Sequence, residues 1–276
     1  MSVIRVYPGG CHTPSIYEGG EEGDHVIENL QYRSWNTFWE NDNNNEDVRI
    51  DFDTGGDLIR PNYLILGNHN LTDTGKGIKF QYGTGGTGAS FTSQGYMLGS
   101  AGSYSDYVTA DENIWVSTFT APTDGYRYFR LKIENNVGYK PKIAVVSFGR
   151  YVDLNINYDN GSSSRGYVYK SERTQTIGGQ WKTNLMSEKK AVFNLSFSHL
   201  DEIEKDYWAG DIFETLEVEN KPFFFMDVDD NHYYVRITDG ELILGDSGFH
   251  NFTHSISMIE ESNQAESGIV FGMVIE

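Results

Sequence analysis

Val48-Arg49-Ile50-Asp51-Phe52-Asp53 alternates apolar and polar residues, the pattern of a strand with one face in a core and the other toward water. Working outward from it gives the first half of the chain its plan. Upstream stand the aromatic opening Ser34-Trp35-Asn36-Thr37-Phe38-Trp39-Glu40 and a polar loop over residues 41–47. Downstream come Asn62-Tyr63-Leu64-Ile65-Leu66-Gly67, Gly77-Ile78-Lys79-Phe80-Gln81-Tyr82-Gly83 and residues 114–120, each bounded by turn residues. Tyr126-Arg127-Tyr128-Phe129-Arg130-Leu131-Lys132-Ile133-Glu134 and Lys142-Ile143-Ala144-Val145-Val146-Ser147-Phe148-Gly149 close the series. Residues 83–113 form a long stretch rich in Gly, Ser, Thr and Tyr, and loops of that length inside a compact domain are usually functional.

With 276 residues the chain has room for two ordinary domains, each with its own core. Eighteen Tyr, 16 Phe and 30 Gly against 6 Pro favour pleated, half-buried surfaces joined by turns. The expected class is therefore all-β with a minor α component, arranged as two β-sandwich-type domains. The net charge of −19 is uneven, with 18 acidic and 12 basic side chains in residues 1–150 and 22 against 9 in residues 151–276. Such a surface repels phosphate backbones and anionic lipid, which argues against nucleic acid and membrane as partners. A single cysteine, Cys11, excludes an intrachain disulfide and a Cys-based zinc site. Neither a signal-peptide pattern nor an apolar run long enough to span a bilayer is present, so cytoplasmic synthesis is the expectation.

The expected division is an N-terminal strand (Val3-Ile4-Arg5-Val6-Tyr7) and loop over residues 1–33, a sandwich over 34–150 and a β-rich domain over 151–276. The first strand is of a kind that pairs with another domain or with a neighbouring subunit. In the last third, residues 190–197 place Ala191, Phe193, Leu195 and Phe197 on one face of a strand. The period then changes: Ser198 as N-cap, Asp201 and Glu202 in the first turn, and Leu200, Ile203, Tyr207 and Trp208 as the apolar side predict one short amphipathic helix over residues 198–208. Pro222-Phe223-Phe224-Phe225-Met226 and His232-Tyr233-Tyr234-Val235-Arg236-Ile237 read as strands joined by a hairpin turn, followed by a strand over residues 252–258.

The order of elements from Ser34 to Gly149 resembles the discoidin (coagulation factor 5/8 C-type) family: an aromatic opening, an Asp-bearing strand, a Tyr/Arg-rich strand and a last strand ending in Phe-Gly. That resemblance implies a jelly-roll-like sandwich that binds rather than catalyses. The second half, from the Gly178-Gly179-Gln180-Trp181 turn through the predicted helix to His254-Ser255-Ile256-Ser257-Met258-Ile259-Glu260-Glu261, is similar to distal tail and adaptor-like proteins of bacteriophage tail tips and baseplates. It implies a virion structural protein, assembled in the host cytoplasm as a ring of its own copies against tail-tube and hub proteins, with weak contact to a host glycan. The competing expectation is a carbohydrate-binding, lectin-like module of a cell-surface or extracellular protein.

Trp35, Trp39, Asn41, Asp42 and Asn43 are the predicted ligand-binding set. Sugars stack C–H faces on aromatic rings while amides and carboxylates take hydroxyls, although Trp35 and Trp39 would equally serve a core. No cofactor is expected; since some discoidin domains carry calcium, residues 41–47 are where such an ion would find oxygen ligands. Asp227-Val228-Asp229-Asp230-Asn231 has the opening spacing of a calcium loop, but His232 and Thr238 stand where Gly and Glu are needed, and a polar turn explains it. His250 and His254 would lie about 13 Å apart along a strand, too far to share a metal. No nucleophile elbow, phosphate loop or His-Glu-x-x-His motif occurs, and no enzyme is expected.

Overall fold

The computed structural model describes residues 4–9, 13–18, 23, 26–31, 34–42, 47–71, 77–101, 103, 114–134, 140–154, 157–159, 161–168, 171–175, 181–185, 189–214, 216, 221–238, 245–248 and 251–261. The chain runs through β1 (Ile4–Tyr7), β2 (Thr13–Glu18), β3 (Trp39–Glu40), β4 (Val48–Asp53), β5 (Tyr63–His69), β6 (Ile78–Thr84), β7 (Thr92–Leu98), β8 (Ile114–Thr118), β9 (Tyr128–Ile133) and β10 (Lys142–Gly149). It continues with β11 (Val152–Leu154), β12 (Ser164–Val168), β13 (Ser171–Gln175), β14 (Trp181–Leu185), β15 (Lys190–Leu200), α1 (Glu202–Asp206), β16 (Phe223–Met226), β17 (His232–Ile237), β18 (Gly245–Gly248) and β19 (Asn251–Glu260). The class is all-β with one short helix, as the composition leads one to expect.

The first body is a sandwich of two antiparallel sheets. One sheet has the order β2-β4-β9-β6-β7 and the other β3-β10-β5-β8, all antiparallel. Alternation aims Ile50, Phe52, Phe129, Leu131 and Ile133 from one sheet at Leu64, Leu66, Val146 and Phe148 from the other. Phe148 sits edge-on to Phe52 and Phe80, with ring centroids 5.3 and 5.1 Å away.

The second body is an eight-stranded sheet in the order β11-β1-β16-β17-β19-β15-β12, with β18 on the far half of β19. Phe193 of β15 and Phe225 of β16 stand three strand positions apart, yet their rings are 5.6 Å apart. At about 4.8 Å per strand a flat sheet would separate them by about 14 Å, so the sheet curls around its core. Strands β13 and β14 form a separate hairpin. No helix among the described residues is long and apolar enough to cross a membrane.

β1 pairs with β11 on one side and β16 on the other. Hence the chain starts in the second body, leaves to build the sandwich, and comes back. The incoming and outgoing segments touch: a Cβ on Gly149 would lie 3.1 Å from Gly9 Cα. The outer face of the four-stranded sheet is covered by the second body, where Tyr63, Ile65 and Val145 pack with Tyr7, Trp35, Phe224 and Tyr234.

The helix differs from its prediction. β15 runs on to Leu200, so Ser198 lies in a strand and donates to Asp159 Oδ1 at 2.8 Å. The N-cap is Asp201, whose carboxylate accepts from Glu204 N at 2.8 Å while Glu204 reaches back to Asp201 N. That capping box turns Glu204 inward and leaves Ile203 60% exposed, one position off the predicted apolar side. After Asp206 the helix widens into a π-helical turn, Tyr207–Glu214, which carries Trp208, Ile212 and Phe213 into the core.

Candidate functional site

With the four-stranded sheet covered, the outward face of the sandwich belongs to the five-stranded sheet. β4, β9 and β6 align there in three cross-strand rows: Arg49–Lys132–Lys79, Asp51–Arg130–Gln81 and Asp53–Tyr128–Gly83. The first row is basic throughout, the middle row sets Asp51 directly against Arg130, and Asp53 of the third row meets Arg127 from the residue just before β9.

The middle row is a closed polar knot. Arg130 donates twice to Asp51, at 2.6 and 2.8 Å, and once to Gly88 O at 2.7 Å. Gly88 N donates to Asp51 Oδ2 at 2.6 Å, tying down the 3-10 turn Gly88–Ser90. The Phe91 ring lies 4.2 Å from the Arg130 guanidinium and rests on Gly83, where a Cβ would come within 2.7 Å of it. Asp51 and Arg130 are accordingly buried.

The third row is open. Arg127 makes two bonds to Asp53, at 2.6 and 2.8 Å, which hold its guanidinium above its ordinary pKa. It stands 5.1 Å from the Tyr128 ring centre. Gly55 N donates to Asp53 at 2.9 Å, and Gly55 and Gly56 take positive φ values of 78° and 125°, which allows that loop its tight turn. Tyr128, Phe91, Tyr82 and Tyr126 are half-buried, the last two with ring centroids 4.4 Å apart. The result is a set of aromatic surfaces beside a planar, hydrogen-bonded Arg–carboxylate pair, all held by sheet and short turns. Both carboxylates are tied to arginine.

The structure scatters the predicted binding set. Trp39 lies wholly inside the sandwich core, and Trp35 is buried in the joint between the bodies, 5.4 Å from the Tyr234 ring. Neither indole presents a face to a sugar. Asn41 is buried, its backbone N–H donating to Pro141 O at 3.0 Å; Asp42 is exposed. Asn43 and residues 44–46 lie outside the described residues, as do Cys11, His12, His25, His250 and the turn over 178–180. Among the described residues no cluster of three His, Cys, Asp or Glu could hold a metal. The 227–231 segment is a turn: Asp227 Oδ1 accepts from Asp229 N and Asn231 N, both at 2.9 Å. The open row went unread in the sequence, although Asp51 and Asp53 in one strand and Arg127 and Arg130 in or beside another were its signal.

No protein-family profile matches the chain, and no curated protein does. Among solved structures, the chain is similar to a chitosan-binding module from a chitosanase/glucanase of a Paenibacillus species (16% identity, 52% of this chain and 98% of that one, TM-score 0.40). It is similar also to the module CBM32-1 from a family 31 glycoside hydrolase of Clostridium perfringens (12%, 52% and 99%, 0.40). A Streptococcus pneumoniae fucose binding module is a third (9%, 52% and 94%, 0.38). Likeness of this degree leaves function to be argued from the residues of the chain itself.

Proposed function

We propose that the protein is a binding protein whose sandwich takes a carbohydrate on the open row of the five-stranded sheet. Tyr128 supplies a ring face for the C–H side of a sugar, and Phe91 borders it. The Arg127–Asp53 pair offers donors and acceptors in one plane to neighbouring hydroxyls. The observation that carries this reading is the pre-set pairing of Arg127 with Asp53 over Tyr128: polar groups already ordered lose little freedom on binding. The second body then serves as a rigid mount.

The test uses the full chain on a glycan array, followed by calorimetric titration of the best binder. Tyr128→Ala and Arg127→Ala should each weaken binding at least about tenfold, roughly 1.4 kcal/mol, with little change in melting temperature. A chain that binds no glycan, or variants that bind as well as the parent, would overturn it.

A second reading rests on the order of elements in the second half of the sequence: an assembly subunit of a bacteriophage tail tip, holding the sandwich on a ring of its own copies in the virion. β11, an edge strand among the described residues, offers a rail for a neighbour. Light scattering over a concentration series checks it. A ring-sized species, alone or with tail proteins added, supports this reading, and a monomer under both conditions removes it.

A further inference from the structure

The open row is longer than a single sugar needs. Asp53, Tyr128 and Gly83 stand side by side on β4, β9 and β6, and Gly83 pairs in turn with Ser93 of β7, which is exposed. Four strands at about 4.8 Å spacing make a track about 14 Å long that runs across the strands. In the direction of the strands the track is stopped on one side, where the turn Gly88–Ser90 is tied over Asp51 and Arg130.

Position 83 contributes no side chain, and Phe91 supplies one in its place. A Cβ on Gly83 would stand 2.7 Å from Phe91 Cζ and 2.9 Å from its Cε2, too close for a second side chain to share the space. The Phe91 ring therefore lies where the outer atoms of a side chain at 83 would lie, level with Tyr128 and beside it. Directly paired residues hold their Cβ atoms about 5 Å apart, so the track carries two aromatic rings about one strand spacing from each other. The Arg130 guanidinium, buried and 4.2 Å from the Phe91 ring centre, takes the inner face of that ring. Phe91 is half-buried, and what it exposes is the face turned away from the sheet.

One pyranose unit of an extended chain is close to one strand spacing in length. Where every linkage leaves its ring equatorially, as in β-1,4-linked glycans, the chain is a flat ribbon with C–H groups on both faces. Consecutive units then lie on consecutive rings, each stacking a C–H face on an aromatic surface. Axial linkages and branches turn a chain out of that plane after one unit. The Arg127–Asp53 pair meets the hydroxyls at one end of the track, and the Ser93 hydroxyl meets them at the other.

We infer that the open row takes two consecutive units of a linear, equatorially linked glycan laid across the strands, one on Tyr128 and the next on Phe91. Phe91 is thus the residue that selects chains over single sugars. The inference rests on the carbohydrate reading above and adds to it the class of chain and its direction.

Calorimetric titration of the full chain with cello-oligosaccharides and chito-oligosaccharides of one to four units tests it. In at least one series the affinity should rise at least about tenfold from one unit to two. Phe91→Leu keeps an apolar side chain against Gly83 and Arg130 but removes the flat face. In that variant the gain from the second unit should shrink to about threefold or less. Equal affinity of the parent for one unit and two, or an undiminished gain in Phe91→Leu, overturns the inference and leaves the carbohydrate reading standing. A glycan array on which only branched chains or single terminal sugars bind does the same. A chain that binds no glycan of any length overturns both.

Discussion

Gly67 of β5 and Trp35 meet where the two bodies join: a Cβ on Gly67 would stand 2.8 Å from Trp35 Cζ3, and 3.1 Å from Phe224 Cζ. The indole thus occupies the space that any other residue at 67 would need. Both neighbours are rigid rings in a packed cluster with Tyr7, Tyr63 and Tyr234, so neither can swing aside without disturbing the joint.

Gly67→Ala should therefore destabilise the protein by about 1–3 kcal/mol, the usual cost of overpacking. Trp35→Ala, which empties the same space, should cost about 3–5 kcal/mol. Urea unfolding of both variants checks this, and a neutral Gly67→Ala would mean that the joint is looser than described.

The two arginine–aspartate pairs of the outer sheet should respond differently to the same change. Arg130→Met leaves the carboxylate of Asp51, 0% exposed, without its paired cation and should cost about 3–5 kcal/mol. Arg127→Met removes a pair whose arginine is 40% exposed, and should leave stability close to that of the parent. Equal losses would contradict the contrast in burial between the two rows.

His69 should make the fold acid-sensitive. Burial lowers its pKa from 6.5 to about 4, and its Nδ1 accepts from Leu71 N at 3.3 Å. The native ring stays neutral between these values while the unfolded chain takes up a proton, so the unfolded state binds more protons in that window. Stability is then full above about pH 6.5 and falls as pH drops toward 4, by up to about 3 kcal/mol. His69→Asn should lose that part of the pH dependence. Unfolding at pH 7 and pH 4.5 for parent and variant gives the difference, and identical slopes would refute the assignment.

Asp201→Ala removes the reciprocal cap of α1 and should cost about 1 kcal/mol. Ser198→Ala, at the position where sequence pattern places the cap, should leave helix content unchanged by circular dichroism; a loss of helix would restore Ser198 to that role.

Why some of this was legible and some not follows from what each residue's neighbours are. β4, β9 and β15 show in the sequence because one face of each meets a core and apolar residues recur at every second position, and β10 because it is an apolar run buried on both faces. The first strand's partner was open from the sequence alone, since Ile4 and Val6 pair with Leu154 and Phe225, far along the chain. Ser198 and Asp201 are both good caps; β15 continues through Ser198 because Leu200 still pairs with Phe252 of β19. The tryptophans misled for a related reason. An aromatic-rich opening looks alike whether it stacks on a ligand or on another layer of the same protein, and here Tyr234 and Phe224 supply that layer for Trp35 while the sandwich core takes Trp39.

The route of the chain through its two bodies also sets an order of events. β1 must wait for partners 150 and 219 positions later, at Leu154 and Phe225, before its backbone groups are satisfied. The sandwich lacks nothing from beyond Gly149 for its own strand pairing, so on a ribosome it can condense while the C-terminal half is still being made. Because Gly9 and Gly149 end up side by side, that condensation brings β1 to the point where β11 emerges, and much of the separation between β1 and its partners is closed before the second body begins to collapse. Slow folding of the C-terminal half should thus follow damage to the sandwich core, even though the two halves share few strands.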